Sequence, residues 1–176
     1  LPDGSHKPDD TLRMCLDHAY GPLSPRARWF DPLHLSLFVQ AAHVTSHDVG
    51  FAEHGWLFTP AACAAGGSTP CGLQVRFHGC GGAYPPTPEE MSYAETNKIV
   101  MLVPNVGGTA ENLAAYGNNA TATCNAGTPV AGNCKEVARG CWDGYGQLSE
   151  GYALQSAPHM LSVWRMVQHV MSGPRM

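Results

Sequence analysis

The chain has 176 residues, long enough for one domain with a buried core and short for two. It is 44% hydrophobic and only 14% charged, with 20 Gly and 14 Pro, which excludes a disordered chain and describes a turn-rich globular one. Ten Lys and Arg against fourteen Asp and Glu leave a net charge of −4, which does not support a nucleic-acid or anionic-membrane partner, since either needs a basic face.

Residues 9–20 read as a short helix, capped by Asp9 or Asp10 and ended by Gly21-Pro22, with Leu12, Cys15, Leu16 and Ala19 on one apolar face. After a loop bearing Pro and Arg, Leu35–Ala42 is predicted as a strand whose Leu35, Leu37 and Val39 alternate against Ser36, Phe38 and Gln40. Residues 43–54 form a polar connection. Gly55–Thr59 and Leu73–Phe77 are further strands, and the second runs into His78-Gly79-Cys80-Gly81-Gly82. Pro88–Asn97 fits a helix, with Pro early and acids in its first turn. The apolar run that follows, Ile99 to Val103, has the look of a buried parallel strand and is far short of the roughly 20 residues that span a bilayer. Residues 104–140 are a long loop or insertion rich in Gly, Asn, Ala and Thr. Ser156–Met171 is the last helix: Ser156 caps it, and Leu161, Trp164, Val167, Val170 and Met171 form an apolar stripe that makes Trp164 a core residue. Strands interleaved with helices over one 176-residue domain predict an α/β sheet with helices packed on it.

The seven cysteines are Cys15, Cys63, Cys71, Cys80, Cys124, Cys134 and Cys141, with no Cys-x-x-Cys spacing of the zinc-ribbon kind. Short Gly-, Pro- and Thr-rich loops between Cys63 and Cys71 and between Cys124 and Cys134 are places where a disulfide would restrict the chain. Asn119-Ala120-Thr121 is a glycosylation sequon, and with the cysteines it favours an oxidising, secreted setting over reduced thiols in a cytosolic core. His43 and His47 are four apart, a zinc spacing only if the segment were helical. Val44-Thr45-Ser46 disfavours that, so they read as solvated loop histidines and no metal or cofactor is expected.

His78 to Gly82 directly follows a predicted strand. Glycine-rich turns at that place in serine esterases aim bare backbone N–H groups at the oxyanion of acyl transfer. The alternative is a plain turn. The nucleophile elbow Gly-x-Ser-x-Gly is absent from the 176 residues; Gly66-Gly67-Ser68-Thr69-Pro70 comes nearest, with Pro in place of the last Gly. A nucleophilic Cys80 paired with His78 is a further reading, which a Cys80 disulfide would end.

Six ordered segments resemble the C-terminal part of the extracellular poly(3-hydroxybutyrate) depolymerase family, over roughly residues 10–171. They are His18–Arg26, Gly55–Cys63, Leu73–Cys80, Tyr93–Asn97 with Ile99–Pro104, Gly140-Cys-Trp-Asp143 with Gly144-Tyr-Gly146, and the last helix with Pro158, Met160 and Trp164. The resemblance implies part of a circularly permuted α/β-hydrolase, a secreted serine esterase of polyesters or hydroxyacyl esters. Its Ser, Asp and His triad is then expected outside residues 1–176, on an upstream segment that covers an exposed sheet edge unless self-association does so. It carries the oxyanion role to the backbone N–H of Cys80 and the substrate-binding role to His78, Gly79 and Trp142. It also carries over disulfides Cys63–Cys71 and Cys80–Cys141, and leaves Cys124 and Cys134 to pair across an insertion. Cys15 is then a buried free thiol, unless it pairs with an upstream segment. Departures occur at Tyr93, at Val103-Pro104-Asn105 and at Gly144-Tyr145. The alternative function is a catalytically inactive secreted structural or binding module derived from that family.

Overall fold

The computed structural model describes residues 8–44, 50–64, 70–107, 139–144, 146, 148–149 and 151–172. Seven main elements follow in order: α1 (Pro8–Tyr20), β1 (Leu35–Val39), β2 (His54–Phe58), β3 (Gly72–Val75), α2 (Pro88–Asn97), β4 (Ile99–Val103) and α3 (Pro158–Ser172). Asn119, Cys124, Cys134, His47 and Ser68 lie outside the described residues, as does most of the long loop.

The four strands form one mixed sheet in the order β1-β2-β4-β3. β2 runs antiparallel to both neighbours, with Leu35 opposite Phe58 and Trp56 opposite Val103, while β3 and β4 are parallel, with Gln74 opposite Met101. Parallel neighbours need a crossover, which α2 supplies. Local chemistry fixes its ends. Thr87 accepts the Glu90 N–H at 3.2 Å, Glu90 accepts the Thr87 N–H at 2.6 Å, and Pro88 fills the first helical position. Lys98, at φ 55, turns the chain sharply into β4.

The period-2 alternation of the strands sends their side chains into two cores. On one face Phe58, Ile99 and Met101 pack with Met91 and Ala94 of α2. On the other, Phe38 and Leu102 pack with Met166 of α3, flanked by Leu57, Leu73, Val75, Val167 and Val170. Gly55 is where β2 passes closest to its neighbours: a Cβ there would sit 2.4 Å from the Val103 carbonyl oxygen and 2.9 Å from Gln40 Oε1. Among the described residues no helix is long and apolar enough to cross a membrane.

Three expectations are corrected. The faces of β1 are exchanged: Phe38 and Gln40 are buried, whereas Leu37 is 63% and Val39 54% exposed. The alternation is right, but on this edge strand only Leu35 of the apolar face packs against the core of Phe58 and Met91, and the residues after it on that face are exposed. The buried side of α3 is His159, Ser162, Val163 and Met166, rotated from the expected stripe, and Trp164 is 41% exposed. Ser162 Oγ donates to the Pro158 carbonyl at 2.7 Å and so enters the core at little cost; counting apolar residues alone passes over it. In α1 only Leu16 of the expected face is buried, and Cys15 is an exposed free thiol.

Candidate active site

The site begins where β3 ends. Arg76 N–H still reaches the Leu102 carbonyl of β4 at 2.9 Å, and then the chain leaves the sheet through His78 to Ala83. Gly81 and Gly82 hold φ of +102° and +97°, a region nearly closed to residues with a Cβ, so the glycines are what let this turn form. Gly79, Cys80 and Gly81 are exposed, and among the described residues the Cys80 N–H has no acceptor. Parallel strands deliver their ligand sites at such C-terminal ends.

Several contacts hold the turn. His78 Nδ1 donates to the Gly79 carbonyl at 2.5 Å, and its Nε2 accepts the Val106 N–H at 3.0 Å, a pattern that assigns the neutral Nδ1–H tautomer. Burial pushes the His78 pKa down; the Gly79 bond opposes this and the Arg76 charge adds to it. Gly81 N–H donates to the Arg139 carbonyl at 2.9 Å. Cys80 is disulfide-bonded to Cys141, 61 positions on in sequence. That bond ends the Cys–His nucleophile reading, because a sulfur in a disulfide is no thiolate.

The same disulfide brings in Trp142. Its half-buried ring lies 5.3 Å from His78, 4.9 Å from Phe77, 5.7 Å from Phe51 and 5.4 Å from His159, centroid to centroid. The indole Nε1 is buried and has no hydrogen-bond partner among the described residues. Trp142 is set by its neighbour: the Asp143 N–H donates to His159 Nδ1 at 2.9 Å, and an Asp143 carboxylate oxygen accepts the Leu148 N–H at 3.0 Å. His78, Gly79, Cys80 and Trp142 therefore meet at one place. The second disulfide, Cys63–Cys71, lies at the opposite end of β3. His43 stacks on Phe38 at 5.4 Å and faces His169 at 4.8 Å. Among the described residues no three His, Cys, Asp or Glu side chains are grouped to hold a metal ion.

Sequence reasoning missed Phe51, His159, Gln40 and Asn105. Phe51 and His159 complete the ring cluster; His159 is a buried polar residue in the first turn of α3, whereas Phe51 lies in an isolated bridge to Val106 that no local pattern marks. Gln40 and Asn105 form a buried polar link between strands distant in sequence, which no local pattern reveals.

No family model matches the chain. It is 32% identical over 172 residues to the poly(3-hydroxybutyrate) depolymerase of Delftia acidovorans, a match covering 93% of this chain and 29% of that relative. Two solved structures share its fold at 21% identity. One is a PHB depolymerase variant complexed with an R3HB trimer, with a TM-score of 0.64 and coverage of 90% of this chain and 46% of that one. The other is the PHB depolymerase from Penicillium funiculosum, with a TM-score of 0.67 and coverage of 94% and 48%. The chain thus spans less than a third of the curated relative and about half of each solved chain.

Proposed function

We propose, for a chain that matches part of the poly(3-hydroxybutyrate) depolymerases in sequence and in fold, that it supplies the oxyanion donor and one pocket wall of a secreted serine ester hydrolase. The substrate class is a polyester or a short hydroxyacyl ester. The carrying observation is a Cys80 N–H without an acceptor among the described residues, on an exposed turn fixed by a disulfide, two glycines and a neutral histidine. A serine Oγ supplied from outside residues 1–176 attacks the ester carbonyl, and a histidine, also outside, takes its proton. The carbonyl oxygen gains the negative charge and accepts the Cys80 N–H. Collapse of the intermediate expels the alcohol, protonated by that same histidine, and leaves an acyl-enzyme for water to hydrolyse. Removing one preorganised donor of this kind costs about 3–4 kcal/mol of barrier. Trp142 walls the acyl site with its half-buried ring, which lies 5.3 Å from the His78 ring beside the Cys80 turn.

The nucleophile-bearing segment also covers apolar surface. Among the described strands β3 pairs only with β4, and Met160, Trp164 and Met171 are exposed along α3. Open edges and apolar patches of this kind are covered in working proteins. Self-association is the other way to cover them. The inactive secreted module is the second reading, favoured by the missing Gly-x-Ser-x-Gly pattern.

The test is hydrolysis of p-nitrophenyl butyrate and of a 3-hydroxybutyrate oligomer by the full-length protein. Turnover abolished by a serine-directed phosphonate is expected. No turnover selects the inactive module, and turnover indifferent to the phosphonate overturns the serine mechanism.

A further inference from the structure

The turn bearing the Cys80 N–H is held at both ends by one dipeptide step after β4. At the near end the Val106 N–H meets His78 Nε2 at 3.0 Å. At the far end Asn105 Oδ1 accepts the Ala83 N–H at 2.8 Å, and the same oxygen lies 3.4 Å from where a Cβ on Gly82 would stand. Asn105 is itself held on three sides. Its N–H donates to Gln40 Oε1 at 2.8 Å, its carbonyl accepts Gln40 Nε2 at 3.0 Å, and its Nδ2 donates to the His54 carbonyl at 3.2 Å. Gln40 is fully buried and spends a further bond on the Ala52 carbonyl at 2.6 Å. A buried amide with its partners all in place specifies one geometry, because every alternative leaves a polar group unpaired.

We propose that Asn105 is a positioning residue for the oxyanion turn: its side-chain oxygen, fixed by Gln40 and His54, sets the direction of the Cys80 N–H through Ala83 and Gly82. The proposal rests on the reading of Cys80 as oxyanion donor, and it deepens that reading. Asn105 touches no substrate. It acts by keeping a donor aimed at a transition-state oxygen, so its loss lowers kcat and leaves KM nearly unchanged.

The experiment compares Asn105→Ala, Asn105→Asp and, as a control, Asn97→Ala in the full-length protein. Asn97 makes a comparable pair of bonds to the Ser24 backbone, 2.8 Å and 3.1 Å, at the other end of β4. Three readouts are taken: kcat and KM on p-nitrophenyl butyrate, thermal midpoint, and amide deuterium exchange across residues 78–84. Asn105→Ala is expected to lower kcat about 10- to 100-fold with KM within about twofold, and to speed Ala83 exchange at least about tenfold. Asn105→Asp keeps the acceptor oxygen and loses the donor to His54. It is expected to lose thermal stability while Ala83 exchange and kcat stay within about threefold of wild type. Asn97→Ala is expected to lose stability without any kcat change. Equal kcat losses in the Ala and Asp variants, or wild-type kcat and exchange in Asn105→Ala, would overturn the proposal. Should Asn105→Ala not fold, Asn105→Asp decides: fast Ala83 exchange in it counts against the proposal. If the wild-type protein hydrolyses no ester, the functional reading fails, and the exchange data still decide whether Asn105 fixes the turn.

Discussion

His78 Nε2 accepts the Val106 N–H at 3.0 Å, so the glycine turn after β3 is bonded to the residue three beyond the end of β4 only while the imidazole is neutral. Protonation places a hydrogen on Nε2 and turns the contact into donor against donor. Burial, joined by the Arg76 charge, sets the folded pKa below the ordinary 6.5 despite the opposing Gly79 bond. The folded state therefore binds its proton later than the unfolded chain. The resulting stability is complete above about 6.5 and is lost as pH falls through the lowered pKa. His43 is also shifted down, by burial and then by His169, and contributes in the same window. The difference between wild type and His78→Gln in urea midpoint, followed from pH 7.5 to 5, isolates the His78 share. Wild type is expected to lose more stability on acidification than the variant.

Arg76 ties the Pro-rich segment after the turn to α2. Nη1 meets Glu90 Oε2 at 2.6 Å, and Nη2 donates to the Tyr84 carbonyl. The same Glu90 oxygen accepts the Thr87 N–H, so one carboxylate serves both the ion pair and the helix cap. Arg76→Ala is expected to destabilise the protein by about 2–3 kcal/mol, since hydrogen bonds to charged groups that are largely out of water are the strong ones. Urea unfolding measures it, and a loss under about 0.5 kcal/mol, the range of an exposed pair, would contradict it.

Much of this architecture is legible in the amino-acid order. The ends of α2 are written in Thr87, Pro88 and Glu90, and β4 in an unbroken apolar run. Phe38 and Trp164 were not legible, because which face of an edge strand or an outer helix is covered depends on how far α2 and α3 extend across the sheet. The site divides in the same way. The turn glycines and the cysteines are local marks, and the resemblance supplied Trp142. The buried amide link from Gln40 to Asn105 joins positions 65 apart in sequence, and nothing near either residue announces it.

Gly55→Ala should be among the most damaging single substitutions in the sheet. Its Cβ would meet a backbone oxygen at 2.4 Å, and Gln40 Oε1 at 2.9 Å, so β2 has to move away from β4 or Gln40 from Asn105. A loss of about 2–4 kcal/mol is expected, in the range for overpacking joined to a broken buried polar contact. Thermal unfolding checks it; a midpoint within a degree of wild type would show that the strands yield freely.

Lys98→Gly should do the opposite. Lys98 carries φ 55 at the end of α2, a conformation that costs a residue with a Cβ about 1 kcal/mol and glycine almost nothing. Subtracting the extra entropy of glycine in the unfolded chain leaves an expected net gain of at most about 0.5 kcal/mol, read by urea unfolding, and a net loss would contradict it.

The Cys80–Cys141 bond closes a span of 61 positions, for which chain entropy alone gives about 4 kcal/mol. Cys141→Ser is expected to lose a large part of that and to raise amide exchange at residues 78–82 and 139–144 together. Exchange rising in only one of the two segments would mean that the turn and the Trp142 loop are held separately.

The most direct measurement is to treat the full-length protein with a fluorophosphonate and to map both the labelled serine and the Cys80 amide resonance. The expected result is a label on a serine outside residues 1–176 and a shift of the Cys80 amide as its N–H meets the phosphoryl oxygen. A label on a serine within residues 1–176, or an inhibited protein whose Cys80 amide does not move, would contradict it.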